Sequence, residues 1–176
     1  RKESLQVIFQ YLVRMNYFEG GIYATSDAME GLICVSLTTC KSSPFGYISA
    51  ILKTVTMPFY LQKKTSLLQL IKRAIKILPS IAGIEKTLAP LRPYVYVDMV
   101  AVGERFRGKG FMGQMMRPTI ELARKKNLRF VLLTETPDNV EIYKHYGFKV
   151  HREFRIDKVP LTIYVMVLDN TNQILD

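Results

Sequence analysis

A chain of 176 residues has room for one domain with a sizeable core, and 48% hydrophobic residues with no low-complexity run exclude a disordered protein. The net charge of +10 suits nucleic acid, an anionic membrane surface or a phosphorylated cofactor, against the plain alternative of a solvated basic surface. Cys34 and Cys40 match no metal spacing and make a poor disulfide scaffold, so neither a metal site nor a disulfide framework is expected.

The chain opens at Arg1 with no signal-peptide pattern, and a segment is expected to precede it. "SLQVIFQYLVRM" has helical apolar spacing at Leu5, Ile8, Phe9, Leu12 and Val13. "GIYATS" and "EGLICVSL" read as strands, and "DAME" followed by Gly31 reads as the turn of a hairpin. Cys34 lies in the apolar run of the second strand and reads as a reduced core thiol, which fits the cytoplasm. Residues 39–64 look irregular. Thr65 or Ser66 then caps a helix running to about Leu78, which Pro79 should end. That helix carries Lys72, Arg73 and Lys76, so it is too charged and too short to span a bilayer.

In the second half "YVYVDMVAV" is a strand. From about Gly110, "FMGQMMRPTIELARKKN" is a helix with Met112, Met115, Met116, Ile120 and Ala123 on one face, and Pro118 should kink it. "RFVLLTE" is a near-continuous apolar run, the pattern of a buried parallel strand. Thr136 should cap a short helix with Pro137 at its first position, and Gly147 should end it as a left-handed cap. "FKVHREF" and "LTIYVMVL" follow as strands. The order predicts an α/β fold with a βαβ unit around a glycine loop.

That loop, "VAVGERFRGKGFMG", fits three phosphate-binding patterns. A P-loop needs Ser or Thr after its lysine to hold magnesium, and Gly110 follows Lys109. A dinucleotide fingerprint, GxGxxG at Gly108, Gly110 and Gly113, must turn directly off its strand, and "GERFR" intervenes. The third pattern is a metal-free pyrophosphate cradle. Gly108 and Gly110 let backbone N–H groups approach an anion, the helix N-terminus adds its positive end, and Arg105, Arg107 and Lys109 add charge. Downstream, Asn139 and Tyr143 are spaced i,i+4 on one helix face at the C-terminal end of the next strand, where open α/β sheets bind ligands. A phenol there can protonate a leaving thiolate, with Tyr146 an equal candidate on chemistry alone.

Over residues 93–155 the chain resembles the GNAT superfamily of N-acetyltransferases. "VYVDMVAVGERFRGKG" is similar to the family's fourth strand and acetyl-CoA loop, and "NVEIYKHYGF" to its asparagine–tyrosine helix. The insert before "YVYVDM", the "MMRPTIELA" helix and "NVEIY" most resemble the puromycin-acetyltransferase-like branch. The resemblance implies a central mixed sheet flanked by helices in a single domain over 1–176. It further implies a helical insert at 41–92 on the substrate side and a first strand lying before the present start. In the family loop, Arg/Gln-x-x-Gly-x-Gly/Ala, Arg107 and Gly110 match while Met112 takes the last small position and Gly113 follows. A register from Arg105 through Gly108 to Gly110 also fits.

By resemblance, acetyl-CoA donates to a primary amine of a small molecule or peptide. Val100, Ala101, Val102, Arg107, Gly108, Lys109, Gly110, Met112, Gly113, Asn139 and Tyr143 would bind it. Tyr143 would be the general acid. Where the branch tends to carry Glu this chain has Leu133, which leaves Glu135 or Asp98 as general base. The competing reading is a non-catalytic module binding CoA or nucleic acid through its basic surface. No nucleic-acid motif spacing is present, so nucleic acid is not the expected partner; no membrane span is expected, and a homodimer is compatible with the family. The amine carries no sequence signature.

Overall fold

The computed structural model describes residues 21–38, 79, 82–156 and 161–171. They form one six-stranded mixed sheet in the order β1-β2-β3-β4-β6-β5. The strands are β1 (Ile22–Ala24), β2 (Gly31–Thr38), β3 (Tyr94–Val102), β4 (Arg129–Thr134), β5 (Lys149–Ile156) and β6 (Leu161–Leu168). Helix α1 (Phe111–Lys125) joins β3 to β4, and α2 (Pro137–His145) joins β4 to β5. β3 and β4 are parallel, so β3-α1-β4 is the expected βαβ unit. The other neighbouring pairs are antiparallel.

Each face of the sheet has its own core. Phe130 and Leu132 of β4 point with Val97 and Met166 to the side covered by Met115, Met116, Ile120 and Ala123 of α1 and Val140 of α2. Val131, Val165 and Val167 point to the other side, against Leu88, Leu91 and Tyr94. This two-sided burial explains why β4 reads as an unbroken apolar run rather than an alternating one. The Met face of α1 is core, as its spacing requires, and Thr119 on that face satisfies its hydroxyl by donating to the Met115 carbonyl at 2.7 Å.

Two local expectations change. Where Pro79 was expected to end a helix, it is itself helical, and residues 82–88 are helical too. Thr136 stands at the N-cap of α2 with extended backbone, but its side chain makes no cap bond; its carbonyl accepts the Val140 N–H at 3.2 Å. Pro118 lies inside α1, as expected. The helices expected around residues 5–13 and 65–78, and the irregular stretch 39–64, lie outside the described residues. Among those described, no helix is long and apolar enough to cross a membrane.

β3 carries the feature that shapes the site. Its ladder with β2 pairs Val97 with Val35 and Met99 with Cys34, so Asp98 is an extra residue, a β-bulge. Its ladder with β4 runs from Tyr94↔Arg129 to Val97↔Leu132 and stops there. The bulge also shifts side-chain parity. Val95 and Val97 face α1, and beyond the bulge Val100 and Val102 do so rather than Met99 and Ala101. The Cys34 thiol, buried in β2, is pushed up to about 11 by burial and then by the Asp98 charge, so it is an inert core thiol.

Gly147 closes α2 with φ +91°, and a Cβ there would come within 3.2 Å of Leu168 Cδ1. Gly147→Ala should therefore destabilise the fold by about 1–2 kcal/mol. A lowered urea midpoint at unchanged m-value is the expected result.

Candidate active site

The glycine loop is built as a chain of turns. Gly103 N–H donates to the Glu30 carbonyl at 2.9 Å, tying the end of β3 to the β1–β2 hairpin. A 3-10 turn, Glu104–Phe106, follows. It is the "GERFR" spacer that the sequence set between strand and glycines. Gly108 (φ +75°) and Gly110 (φ +82°) then adopt left-handed backbone. A Cβ built at either would meet nothing within 4 Å, so both face open space. Glycine is required here for conformation and leaves the approach to the loop clear. Gly110 is the N-cap of α1, with no side-chain cap of its own. The first-turn N–H groups of α1 therefore present the positive end of the helix at the loop.

On the other side of the gap stands α2. Gly147 N–H donates to the Lys144 carbonyl at 2.9 Å and Phe148 N–H to the Tyr143 carbonyl at 3.2 Å, a closing turn that drives Phe148 into the core. The Phe148 ring packs at 5.8 Å from Phe130 and edge-on at 5.9 Å from Tyr143. It thereby holds Tyr143 from behind. Burial raises the Tyr143 phenol above the usual tyrosine value, so it keeps its proton at neutral pH.

These parts converge on one cavity of ≈ 670 Å³. Val100, Ala101 and Val102 of β3, Arg107 and Gly108 of the loop, Met112 of α1, and Asn139 and Tyr143 of α2 all line it. The lining includes Val100–Val102, the part of β3 that has left β4, and no described strand pairs with these residues on that side. Phe106, Phe111 and Ile142 complete the wall. The sequence reading missed these three. Phe106 and Phe111 stand among Gly, Arg and Lys, where the charges and glycines dominate the pattern. Exposed Ile142 is the apolar residue on α2 that its core-facing neighbour Val140 leaves unexplained.

Four predicted residues do not line the cavity. Gly110 is the N-cap of α1, and Lys109 places its ammonium over the Phe106 ring. Gly113 faces Tyr146, whose hydroxyl would lie 3.5 Å from a Cβ there. Tyr146 therefore packs against α1 outside the cavity lining. Glu135 is exposed just past the end of β4. Another cavity, ≈ 490 Å³, lies between α1 and the β1–β2 hairpin, bordered by Tyr23, Leu37, Met115 and Leu122. It is more apolar and holds no part of the glycine loop.

Residues 91–151 match the model of the acetyltransferase (GNAT) domain. Among solved structures, 41 chains match. Arylalkylamine N-acetyltransferase 2 of Aedes aegypti superposes with a TM-score of 0.64 over 94% of this chain and 80% of that one, at 13% identity. The chain has the GNAT fold. A protein of Agrobacterium tumefaciens assigned as an acetyltransferase matches at 26% identity over 43% of this chain, with a TM-score of 0.39. Arabidopsis thaliana Naa50, bound to the bisubstrate analogue CoA-Ac-MVNAL, matches at 16% identity over 78% of this chain, with a TM-score of 0.44. The chain spans 56% of the Agrobacterium protein and 64% of the Arabidopsis one. No curated protein matches the chain by sequence. The GNAT match begins just before β3 and ends early in β5, so it contains the bulge, the glycine loop and both helices of the cavity.

The Tyr143 assignment can be read directly. The difference in phenolate absorbance between the wild type and Tyr143→Phe should titrate above pH 10, the ordinary tyrosine value. Ionisation below that value would contradict a buried, protonated phenol at the cavity wall.

Proposed function

We propose that this chain is an N-acetyltransferase that moves an acetyl group from acetyl-CoA to a primary amine of a small molecule or peptide by direct attack. The observation that carries the reading is the convergence of an open strand edge, a glycine cradle and the Asn139–Tyr143 helix face on one cavity. The cradle fits a pyrophosphate: two left-handed glycines with open Cβ positions stand before a helix N-terminus, flanked by Arg105, Arg107 and Lys109. The NVEIY helix and the insert favour the puromycin-acetyltransferase-like branch as the subfamily.

Acetyl-CoA supplies the activated thioester. The free edge of β3 at Val100–Val102 can accept an extended arm as an added strand. Backbone N–H groups there are fixed donors for a carbonyl oxygen that gains negative charge as the amine attacks. Tyr143 holds the proton that the departing sulfur needs, and burial keeps it in place. The amine must first lose a proton. Glu135, exposed at the open end of β4, is the proposed acceptor, with Asp98 at the bulge as the alternative. The position of Tyr146 against Gly113 favours Tyr143 over it as the acid.

Acetyl-CoA should raise the melting temperature in magnesium-free buffer, with NAD and ATP doing much less. A larger shift with NAD would restore the dinucleotide reading. Gly110→Asp places a carboxylate in the cradle and should weaken CoA binding at least about tenfold, or ~1.4 kcal/mol, in a protein that still folds. Tyr143→Phe should slow acetyl transfer at least about tenfold with CoA affinity near wild type, while Tyr146→Phe should stay close to wild type. The reverse pattern would move the acid to Tyr146, and two fully active variants would remove the tyrosine from the mechanism.

A further inference from the structure

The glycine loop is organised around one ring that the acetyl-transfer chemistry does not use. The Arg105 guanidinium carbon lies 4.7 Å from the Phe106 ring centroid, and the Lys109 ammonium lies 5.7 Å from it. Phe111 meets the same ring edge-on, with centroids 5.6 Å apart and planes at 75°. Behind the ring sits Gly103, where a Cβ would approach Phe106 Cδ2 to 3.0 Å. Backbone bonds fix the ring's origin: Phe106 N–H donates to the Gly103 carbonyl at 2.8 Å, and the Phe106 carbonyl accepts the Lys109 N–H at 3.4 Å. Phe106 is half-buried and lines the cavity, whereas Arg105 and Lys109 are exposed.

Two cations on one short loop repel each other, and long exposed side chains lose rotamer freedom when a ligand orders them. The negative face of an aromatic ring offsets both costs, because it attracts each cation and restricts where it sits. We propose that Phe106 is a positioning residue. Its ring holds the Arg105 and Lys109 charges beside the glycine cradle, ready for the phosphate groups of a CoA-type ligand. The inference rests on the acetyl-CoA reading above and deepens it. Phe106 acts on the phosphate end of the ligand through the two cations, and takes no part in proton transfer.

The test compares CoA, which carries the phosphates, with pantetheine, which lacks them, by calorimetric Kd. Phe106→Leu keeps an apolar side chain but removes the π-face. It should reduce the preference for CoA over pantetheine about tenfold, and Phe106→Tyr should restore it. A merely structural role would weaken both ligands alike; an unchanged preference in Phe106→Leu, or no rescue by Phe106→Tyr, overturns the proposal. Arg105→Gln with Lys109→Gln, which leaves the ring in place, should lower the preference as Phe106→Leu does or more. Adding Phe106→Leu to that double variant should then cost nothing further, whereas an additive loss overturns the coupling. If the wild type binds CoA no tighter than pantetheine, the acetyl-CoA reading itself fails, an outcome separate from a failure of Phe106 alone.

Discussion

One inserted residue in β3 governs the geometry of this molecule. Asp98 has no opposite number in β2, and the ladder to β4 ends one residue earlier, at Val97. A bulge increases local twist and bends its strand, so the outer half of β3 separates from β4 while β2 still holds it. Among the described residues, this separation leaves a strand edge beside the C-terminal end of a parallel strand. The parity shift turns Val100 and Val102 toward α1. A regular strand would keep its backbone groups paired and would direct Met99 and Ala101 to that side. The cavity, its open backbone edge and its apolar wall all depend on this one irregularity.

The rest of the site holds the two walls of the cavity at fixed positions. On the β3 side, the bond from Gly103 to the Glu30 carbonyl anchors the strand end to the hairpin, where Glu30 also accepts from Thr25 and Ser26 hydroxyls. On the α2 side, the turn at Gly147 inserts Phe148 between Phe130 and Tyr143. Both anchors are ordinary packing and hydrogen bonding. Their combined effect is electrostatic: the α1 N-terminus and Arg107 stand on one side of the cavity, and a protonated phenol stands in its wall.

Much of this was legible in the residues. The βαβ unit, the Met face of α1, the left-handed glycine after α2 and the shared face of Asn139 and Tyr143 follow from periodicity and glycine chemistry, which are local properties. Eight of the predicted binding residues line the cavity, namely Val100, Ala101, Val102, Arg107, Gly108, Met112, Asn139 and Tyr143. Phe106 was not legible, because an aromatic residue among charges has no periodic partner to reveal which ring faces it will use. Nor was the helical stretch at 82–88, since Pro79 and Gly83 mark a break in any local reading; in the fold, Gly83 lies close against Phe154.

The sequence by itself determined the elements whose causes lie within a few residues: strand, glycine turn, helix and cap. The charge types at the loop were also readable from local chemistry. Only the tertiary structure decided that β6 inserts between β4 and β5, that Asp98 breaks the register, and that Tyr146 rests on Gly113 while Tyr143 faces the cavity. The reason is physical. Strand order and register are set by which apolar faces can be buried together across the chain, and a bulge is visible only as a mismatch between two paired strands.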